Sequence, residues 1–199
     1  DPVLIRRLWT MLAHLHGQLL NMNQLAASLG ISATTVRRYL DFLEAAYLIR
    51  RLQPYYANIG KRLVKSPRVY IRDTGILHSL LDLPNHDALL RHPVLGASWE
   101  GYVLQEVLAL LPNGADVFFY RTADGSEADI VITRGGSPDT LIEVKHSAAP
   151  SVSRGFHIAR KDLDTRQHLI VYPLERSYPL AEDIQVTGVR GLEAYLSRK

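Results

Sequence analysis

Three side chains in the second half of the chain could together carry out metal-dependent hydrolysis. Asp129 lies in Glu127-Ala128-Asp129-Ile130-Val131-Ile132, and Glu143 and Lys145 end the run Leu141-Ile142-Glu143-Val144-Lys145. Carboxylate oxygens suit Mg²⁺ or Mn²⁺, and a bound cation lowers the pKa of a water and polarises a phosphoryl oxygen. A lysine two residues beyond Glu143 could position or deprotonate that water and stabilise charge on phosphorus. We therefore predict Asp129 and Glu143 as ligands of Mg²⁺ or Mn²⁺ in phosphodiester hydrolysis.

Strand alternation and a neighbouring helix would bring these groups together. Side chains of a strand alternate between faces, so Glu143 and Lys145 share one face, and Asp129 points away from Ala128 and Ile130. A short hairpin can bring Asp129 beside Glu143. Glu100, at the front of a helix predicted over residues 95–111, could lean over the same spot. The predicted catalytic set is therefore Glu100, Asp129, Glu143 and Lys145.

The elements around these residues predict a mixed sheet. A helix is followed by three strands, a second helix over about residues 153–163 and a fourth strand over 168–172. Residues 184–187 could add a fifth strand, and 191–197 a final helix. This order predicts an α/β sandwich around a mixed sheet.

The first third of the chain predicts a helix-turn-helix. Asn21 or Asn23 can cap a short helix, Gly30 can close it, and Ser32 can cap a longer helix over residues 33–45. Threonine and arginine near the start of a second helix can contact base edges and phosphates. The predicted nucleic-acid contacts of this helix are Thr34, Thr35, Arg37 and Arg38.

A basic, aromatic segment over residues 54–66 lies between strands predicted at 46–53 and 67–72. One interpretation is a wing whose Lys61, Arg62 and Lys65 lie against a nucleic-acid backbone. The other is a loop that packs on the neighbouring domain through Tyr55 and Tyr56. The residues alone leave both open.

Composition narrows the class of protein. The 199 residues include 23 Lys plus Arg, 20 Asp plus Glu and no cysteine, which excludes disulfides, thiolate metal sites and a cysteine nucleophile. Up to Arg72 there are eleven basic and three acidic residues, and this basic excess suggests a polyanion surface. No apolar run is long enough for a membrane span, so we expect a cytoplasmic protein with no membrane partner. The first residue, Asp1, suggests a piece of a longer polypeptide.

Asp129, Glu143-x-Lys145 and the preceding Glu100 resemble the PD-(D/E)XK restriction-endonuclease-like superfamily, although Ala128 stands where that motif has proline. The wider wording resembles the C-terminal half of a large bacterial and archaeal group of AAA+-type ATPases. The segments that carry this resemblance include Pro54-Tyr55-Tyr56-Ala57-Asn58, Gly60-Lys61-Arg62, Asp73-Thr74-Gly75-Ile76-Leu77, Trp99-Glu100 and Tyr120-Arg121-Thr122.

The resemblance implies an N-terminal P-loop ATPase followed by a winged helix and a nuclease-like domain. In this chain it implies a winged-helix domain at 1–73, a helical connector at 74–92 and a PD-(D/E)XK nuclease-like domain at 93–199. The chain has no Gly-x-x-x-x-Gly-Lys-Ser/Thr run, so ATP is expected only in an ATPase domain outside it. The expected partners are DNA and that ATPase domain of the same polypeptide, with self-association into a homo-oligomer left open.

Two functions fit this fold. In the first, the winged helix binds DNA and the nuclease-like domain hydrolyses phosphodiester bonds with Mg²⁺ or Mn²⁺. In the second, the nuclease fold is catalytically inactive and binds DNA or protein. In that case Glu143 and Lys145 form a structural salt bridge and Asp129 is merely solvated.

Overall fold

The computed structural model describes residues 1–56 and 60–197, which form two compact units. The first unit comprises residues 1–52 and 66–102, and the second comprises 53–65 and 103–199. The α-helices are α1 Pro2–His14, α2 Met22–Leu29, α3 Ala33–Ala45, α4 Thr74–Leu80, α5 His86–Leu90, α6 Leu95–Leu110, α7 Arg154–Leu163 and α8 Glu193–Leu196. The strands are β1 Ile49–Leu52, β2 Arg68–Ile71, β3 Ala115–Arg121, β4 Glu127–Arg134, β5 Ser137–Val144, β6 Gln167–Val171, β7 Tyr178–Ala181 and β8 Ile184–Thr187. These elements confirm the predicted mixed α/β class.

The turn between α2 and α3 forms where the sequence predicts it. The side chain of Asn21 accepts a hydrogen bond from the backbone of Gln24 and begins α2, and Gly30 ends that helix in the left-handed region at φ 68°. The hydroxyl of Ser32 accepts the amide hydrogen of Thr35 at 3.1 Å and begins α3. Three residues therefore separate the two helices, and each helix end is capped.

The first unit closes around the inner faces of its helices. Leu8 and Leu12 of α1, and Val36 and Leu40 of α3, are fully buried in one apolar cluster. Strands β1 and β2 pair antiparallel with Ile49 opposite Ile71, and both isoleucines join the cluster. The unit's core thus lies between the helices and a two-stranded sheet.

A six-stranded sheet in the order β3-β4-β5-β6-β8-β7 organises the second unit. The first three strands form an antiparallel meander, and β6 runs parallel to β5. Parallel neighbours require a crossover connection, which α7 supplies here. Strand β8 runs parallel to β6, and β7 pairs antiparallel with β8 at the edge.

The segment 53–65 belongs to the second unit, which agrees with the second of the two interpretations that the sequence left open. The amide of Tyr55 donates to the carbonyl of Phe119 at 2.7 Å, and that of Val64 donates to Arg121 at 3.0 Å. The ring of Tyr55 meets Phe118 edge-on with centroids 5.7 Å apart. The segment therefore covers the free edge of β3. The wing residues 57–59 lie outside the described part of the chain.

The two units also differ from the predicted boundaries at 73 and 92. Residues 53–65 leave the first unit because they pair with β3, and residues 74–102 stay in it. Within the described residues, the structure contains no helix of the length and apolar character needed to traverse a bilayer.

Candidate functional site

Asp129 and Glu143 meet on one face of the β4–β5 hairpin. Ile130 pairs with Ile142 in the antiparallel register, so the next pair along the ladder is Asp129 and Glu143. The Oδ2 atom of Asp129 accepts the amide hydrogen of Val144 at 2.9 Å. Local strand pairing alone therefore holds the two carboxylates in neighbouring positions.

Glu143 is almost fully buried, with 4% of its surface exposed, and both of its carboxylate oxygens are bonded. Its Oε1 lies 2.8 Å from Nζ of Lys145, and its Oε2 accepts the amide hydrogen of Ser153 at 3.2 Å. Ser153 in turn caps α7, because its hydroxyl accepts the amide hydrogen of Phe156 at 3.1 Å. The carboxylate thus lies against the positive end of a helix dipole.

Lys145 is held as an ammonium. Burial lowers its pKa, but the hydrogen bond and charge of Glu143, together with the charges of Asp129 and Glu127, outweigh burial, so the net pKa is raised. A lysine with a raised pKa does not abstract a proton from water near neutral pH. Its chemical contribution here is a fixed positive charge rather than a general base.

Helix α7 can approach this face because of a glycine. A Cβ on Gly155 would lie 2.9 Å from the backbone nitrogen of Glu127, so any larger residue would displace the helix from β4. Beyond the glycine, Phe156 and Ala159 are fully buried in a cluster that includes Leu141. Sequence analysis did not identify the Ser153 amide as a contact of Glu143, although a serine before a helix is the usual sign of a cap.

Arg121 forms an ion pair with Glu127 at the end of β3. Its Nη1 lies 3.2 Å from Oε2 of Glu127, and both side chains are more than a third exposed. An exposed pair of this kind contributes little to stability. It places a positive charge one strand away from Asp129.

Glu100 bonds two residues of β2 in the first unit. Its Oε1 accepts from Nη1 of Arg68 at 2.9 Å and from the hydroxyl of Tyr70. Arg68 is 5% exposed and Tyr70 is 1% exposed, so the carboxylate neutralises a buried guanidinium. The assignment of Glu100 to the catalytic set stays a prediction.

Among the residues that the structure describes, Asp129 and Glu143 have no third acidic residue with which to form a metal cage. Over residues 1–56 and 60–197, no three His, Cys, Asp or Glu side chains converge in a way that could hold a metal ion. Asp129 and Glu143 are therefore the two carboxylates around which the candidate site is built.

The predicted nucleic-acid contacts fall on both units. In α3, Thr34, Arg37 and Arg38 are exposed, whereas Thr35 is only half-buried and its hydroxyl bonds that of Ser32 at 2.9 Å. Thr35 thus takes part in capping the helix as well as facing outward.

The remaining three predicted contacts, Lys61, Arg62 and Lys65, are exposed in the second unit. The Nζ atom of Lys61 lies 2.6 Å and 2.7 Å from the two carboxylate oxygens of Asp162, which also accepts the hydroxyl of Tyr120 at 2.7 Å. Lys61 therefore fastens its segment to α7, and a phosphate would have to compete with this ion pair.

Both halves of the chain match known protein families. Residues 1–87 match a family described as a domain of unknown function, DUF8612, and residues 95–192 match another, DUF4143. Uncharacterized protein Rv2008c of Mycobacterium tuberculosis and Uncharacterized protein Mb2031c of Mycobacterium bovis are each 48% identical over 181 residues. That alignment covers 90% of this chain and 40% of each relative, so the chain spans about two fifths of their length.

Among solved structures, one similar chain comes from a half-complex of a tetradecameric assembly of Thermococcus gammatolerans McrB AAA+ hexamers with bound McrC. The match has a TM-score of 0.36 and 10% identity, and it covers 92% of this chain and 70% of that one. At that TM-score the likeness establishes neither a shared fold nor a shared function.

Proposed function

We propose that this chain is the DNA-binding and nuclease-like part of an AAA+-type ATPase, and that its second unit hydrolyses phosphodiester bonds with a divalent metal. The observation that carries the proposal is the pairing of Asp129 with Glu143 on one hairpin face, with Lys145 beside them. The order helix, antiparallel three-strand meander, helix and parallel strand also supports a PD-(D/E)XK-like core, and this is the order of α6 to β6.

The donor set suits a small hard cation. Mg²⁺ commonly keeps several waters and takes only one or two protein carboxylates, whereas Ca²⁺ needs six to eight oxygen ligands and catalytic Zn²⁺ prefers histidine. Asp129 and Glu143 would hold Mg²⁺ or Mn²⁺, which when bound supplies an activated water and a polarised phosphoryl oxygen. The ammonium of Lys145 would neutralise charge that develops on the phosphate.

The proposed DNA contact is the exposed start of α3. Arg37 and Arg38 are exposed, and neither makes an ion pair with another described residue. Two free guanidinium groups on one helix turn suit phosphate and guanine contacts. The ATPase part of the proposal is supported by the sequence resemblance and by relatives more than twice as long as the matched segment.

Metal binding and cleavage test the hydrolase in parallel. The chain is titrated with Mn²⁺ by electron paramagnetic resonance and incubated with supercoiled plasmid and Mg²⁺ or Mn²⁺. We expect Asp129→Asn and Glu143→Gln to weaken Mn²⁺ binding and abolish nicking. Lys145→Met should abolish nicking but keep Mn²⁺ binding, because Glu143 then has no competing ammonium. Asp116→Asn, which removes an exposed carboxylate from β3, is the matched control.

DNA binding is measured separately by fluorescence anisotropy over a range of salt concentrations. The double variant Arg37→Gln/Arg38→Gln should bind more weakly and with a shallower salt dependence, by about one unit of slope per lost phosphate contact. Arg91→Gln, an exposed arginine elsewhere in the first unit, should bind as the unaltered chain does. Equal affinities in all three proteins would remove α3 from the proposal.

A catalytically inactive nuclease fold is the second candidate, and one observation favours it. Both oxygens of Glu143 are already bonded, to Lys145 and to the Ser153 amide, and the side chain is 5% exposed. A cation would have to displace at least one of these partners. Intact DNA binding with neither Mn²⁺ binding nor nicking would identify the chain as a binding module.

A further inference from the structure

A second candidate site lies in the first unit, where α3 ends and β1 begins. A cavity of about 400 Å³ opens there, and its charged and aromatic lining consists of Asp41, Glu44, Tyr47, Arg50, Arg51 and Arg72. Three arginines and two carboxylates therefore share one concave surface. The kind of ligand that this surface can bind depends on which of these side chains form ion pairs with one another.

Arg51 pairs with both carboxylates. Its Nη2 lies 2.7 Å from Asp41 and 2.5 Å from Glu44, and its Nε donates to Glu44 at 2.6 Å. Bidentate and shared contacts of this kind are the strongest that arginine makes. Three arginines against two carboxylates leave the lining a net charge of +1, and Arg50 and Arg72 are the two arginines without an ion pair to a described residue.

The side chain of Arg50 has no hydrogen-bond or ion-pair partner among the described residues. Its Nε is shielded from solvent and makes no hydrogen bond. Burial, and then the charge of Arg72, lower the pKa of Arg50, and the opposite charge of Glu44 compensates only in part. A buried donor left unsatisfied is uncommon in folded proteins and often marks the place of an absent ion or ligand.

Tyr47 occupies a backbone position that normally takes glycine. The amide of Leu48 donates to Leu43 at 2.9 Å and that of Tyr47 to Glu44 at 3.0 Å, which is the hydrogen-bond pattern of a Schellman motif. Tyr47 is its left-handed residue, at φ 60°, and its side chain is 73% exposed. A bulky residue with positive φ is uncommon, which indicates that the tyrosine side chain has a structural or functional role at this position.

The ring of Tyr47 supports Arg72. The guanidinium carbon of Arg72 lies 4.9 Å above the ring centroid, within the range of a cation–π contact. This stacking fixes the plane of the guanidinium while leaving its N–H groups available to a ligand. An unusual residue thus orients one of the two arginines that have no ion pair to a described residue.

We propose that Arg50 and Arg72, the latter oriented by Tyr47, form a phosphate-binding cleft at the end of α3. Two guanidinium groups present planar sets of donors that match the oxygens of a phosphate. The phosphate belongs to a nucleotide or to a nucleic-acid strand, and both share the chemistry that the cleft recognises. The cleft uses none of the residues assigned to the DNA contact of α3 and does not depend on that contact or on the carboxylate site.

The test observes the arginines directly in the whole chain. In phosphate-free buffer, ¹⁵N spectra of the arginine Nε–H groups are recorded with inorganic phosphate, with a nucleoside diphosphate and with a short single-stranded oligonucleotide. We expect the Nε–H signals of Arg50 and Arg72 to shift and that of Arg91 to stay. Arg50→Gln and Arg72→Gln should weaken binding of the responsive ligand about tenfold or more, and Arg91→Gln should not.

Tyr47→Gly separates folding from binding, because glycine suits the positive φ and keeps the helix end intact. It should unfold no earlier than the unaltered chain and yet bind the ligand more weakly. A response to the oligonucleotide alone assigns a phosphodiester strand, and a response to the diphosphate assigns a nucleotide. If no ligand moves the Arg50 and Arg72 signals, the cleft is not a phosphate site, whatever DNA binding through Arg37 and Arg38 shows.

Discussion

Protonation of the buried His16 should lower the stability of the first unit in acid. Its Nδ1 accepts the amide hydrogen of Ile71 at 3.0 Å, and its Nε2 lies 3.1 Å from the carbonyl of Ala97. Because the amide can only donate and the carbonyl can only accept, the ring is neutral with its proton on Nε2. Burial, opposed by the Ala97 bond and aided by the charge of His78, lowers the pKa of His16 from 6.5 to about 4.

This shift translates into a stability change of known sign. The unfolded chain binds a proton at His16 below pH 6.5, whereas the folded chain does so only near pH 4. The full contribution of the neutral ring is therefore present above pH 6.5 and is lost as the pH falls towards 4. At about 1.4 kcal/mol per pKa unit, the loss across this window is about 3 kcal/mol.

Urea unfolding at a series of pH values between 7.5 and 4 measures the effect. His16→Gln keeps one acceptor and one donor but cannot titrate, so its free energy of unfolding should fall less steeply with pH, by about 3 kcal/mol over the window. His14→Gln, an exposed histidine at the end of α1, should follow the unaltered chain. Parallel pH profiles for the unaltered chain and His16→Gln would refute a buried neutral ring, as would an NMR titration of His16 near pH 6.5.

Two further substitutions test packing and tethering. Gly101→Ala should lower the free energy of unfolding by about 1–3 kcal/mol in thermal or urea melts, because its new Cβ would lie 2.5 Å from Nε2 of His16. Asp162→Asn removes a charge that binds both Lys61 and the Tyr120 hydroxyl. It should speed amide hydrogen exchange and proteolysis in residues 60–65 more than in β4–β6; equal exchange in the two proteins would show that the ion pair does not hold the segment.

Features encoded within a few residues were predicted from the sequence. The cap at Ser32 and the glycine end of α2 follow from local backbone chemistry, and both are found in the structure. The hairpin that brings Asp129 beside Glu143 follows from alternation and a short turn, since Gly135 and Gly136 both have positive φ. Such features depend on near neighbours in the chain, which the sequence displays directly.

Features that depend on distant partners were not predicted. The strand β7 was missed because Tyr178-Pro179-Leu180-Ala181 contains a proline, which only an edge strand tolerates, and its pairing with β8 places it at the edge. The segment 53–65 fits either a wing or a loop packed through Tyr55, and only the pairing of its backbone with β3 decides between the two. No local signal reveals a partner more than fifty residues away.

Charged partners also set the state of two predicted site residues, one from a distant strand and one from two residues away. Glu100, which was expected to lean over the carboxylates, is bonded by Arg68 and Tyr70 of β2, and its place in the catalytic set stays a prediction. Lys145 was expected to position or deprotonate a water, whereas its contact with Glu143 raises its pKa. In each case a charged partner, rather than the residue's own position on its element, determines its state.

The sequence has a basic first third and an acidic remainder, but the net charges of the two folded units do not show this contrast. The first compact unit contains nine basic and seven acidic residues, a net charge of +2, and the second contains fourteen and thirteen, a net charge of +1. Two changes contribute equally: residues 53–65 carry three basic side chains into the second unit, and residues 73–102 add one basic and four acidic side chains to the first. Neither unit is therefore a strongly basic body that would attract any polyanion.

The proposed nucleic-acid binding would then depend on individual arginines that have no ion-pair partner. Arg37 and Arg38 are exposed without an ion pair to any described residue, and Arg50 and Arg72 are the two arginines of the cleft without one. If all four contact phosphates of one duplex, the logarithm of the binding constant should fall with the logarithm of salt concentration with a slope of about −4, and with about −2 if only α3 engages. A slope well beyond −4 would require further phosphate contacts, and the exposed Arg62 and Lys65 of the second unit would be the first to substitute.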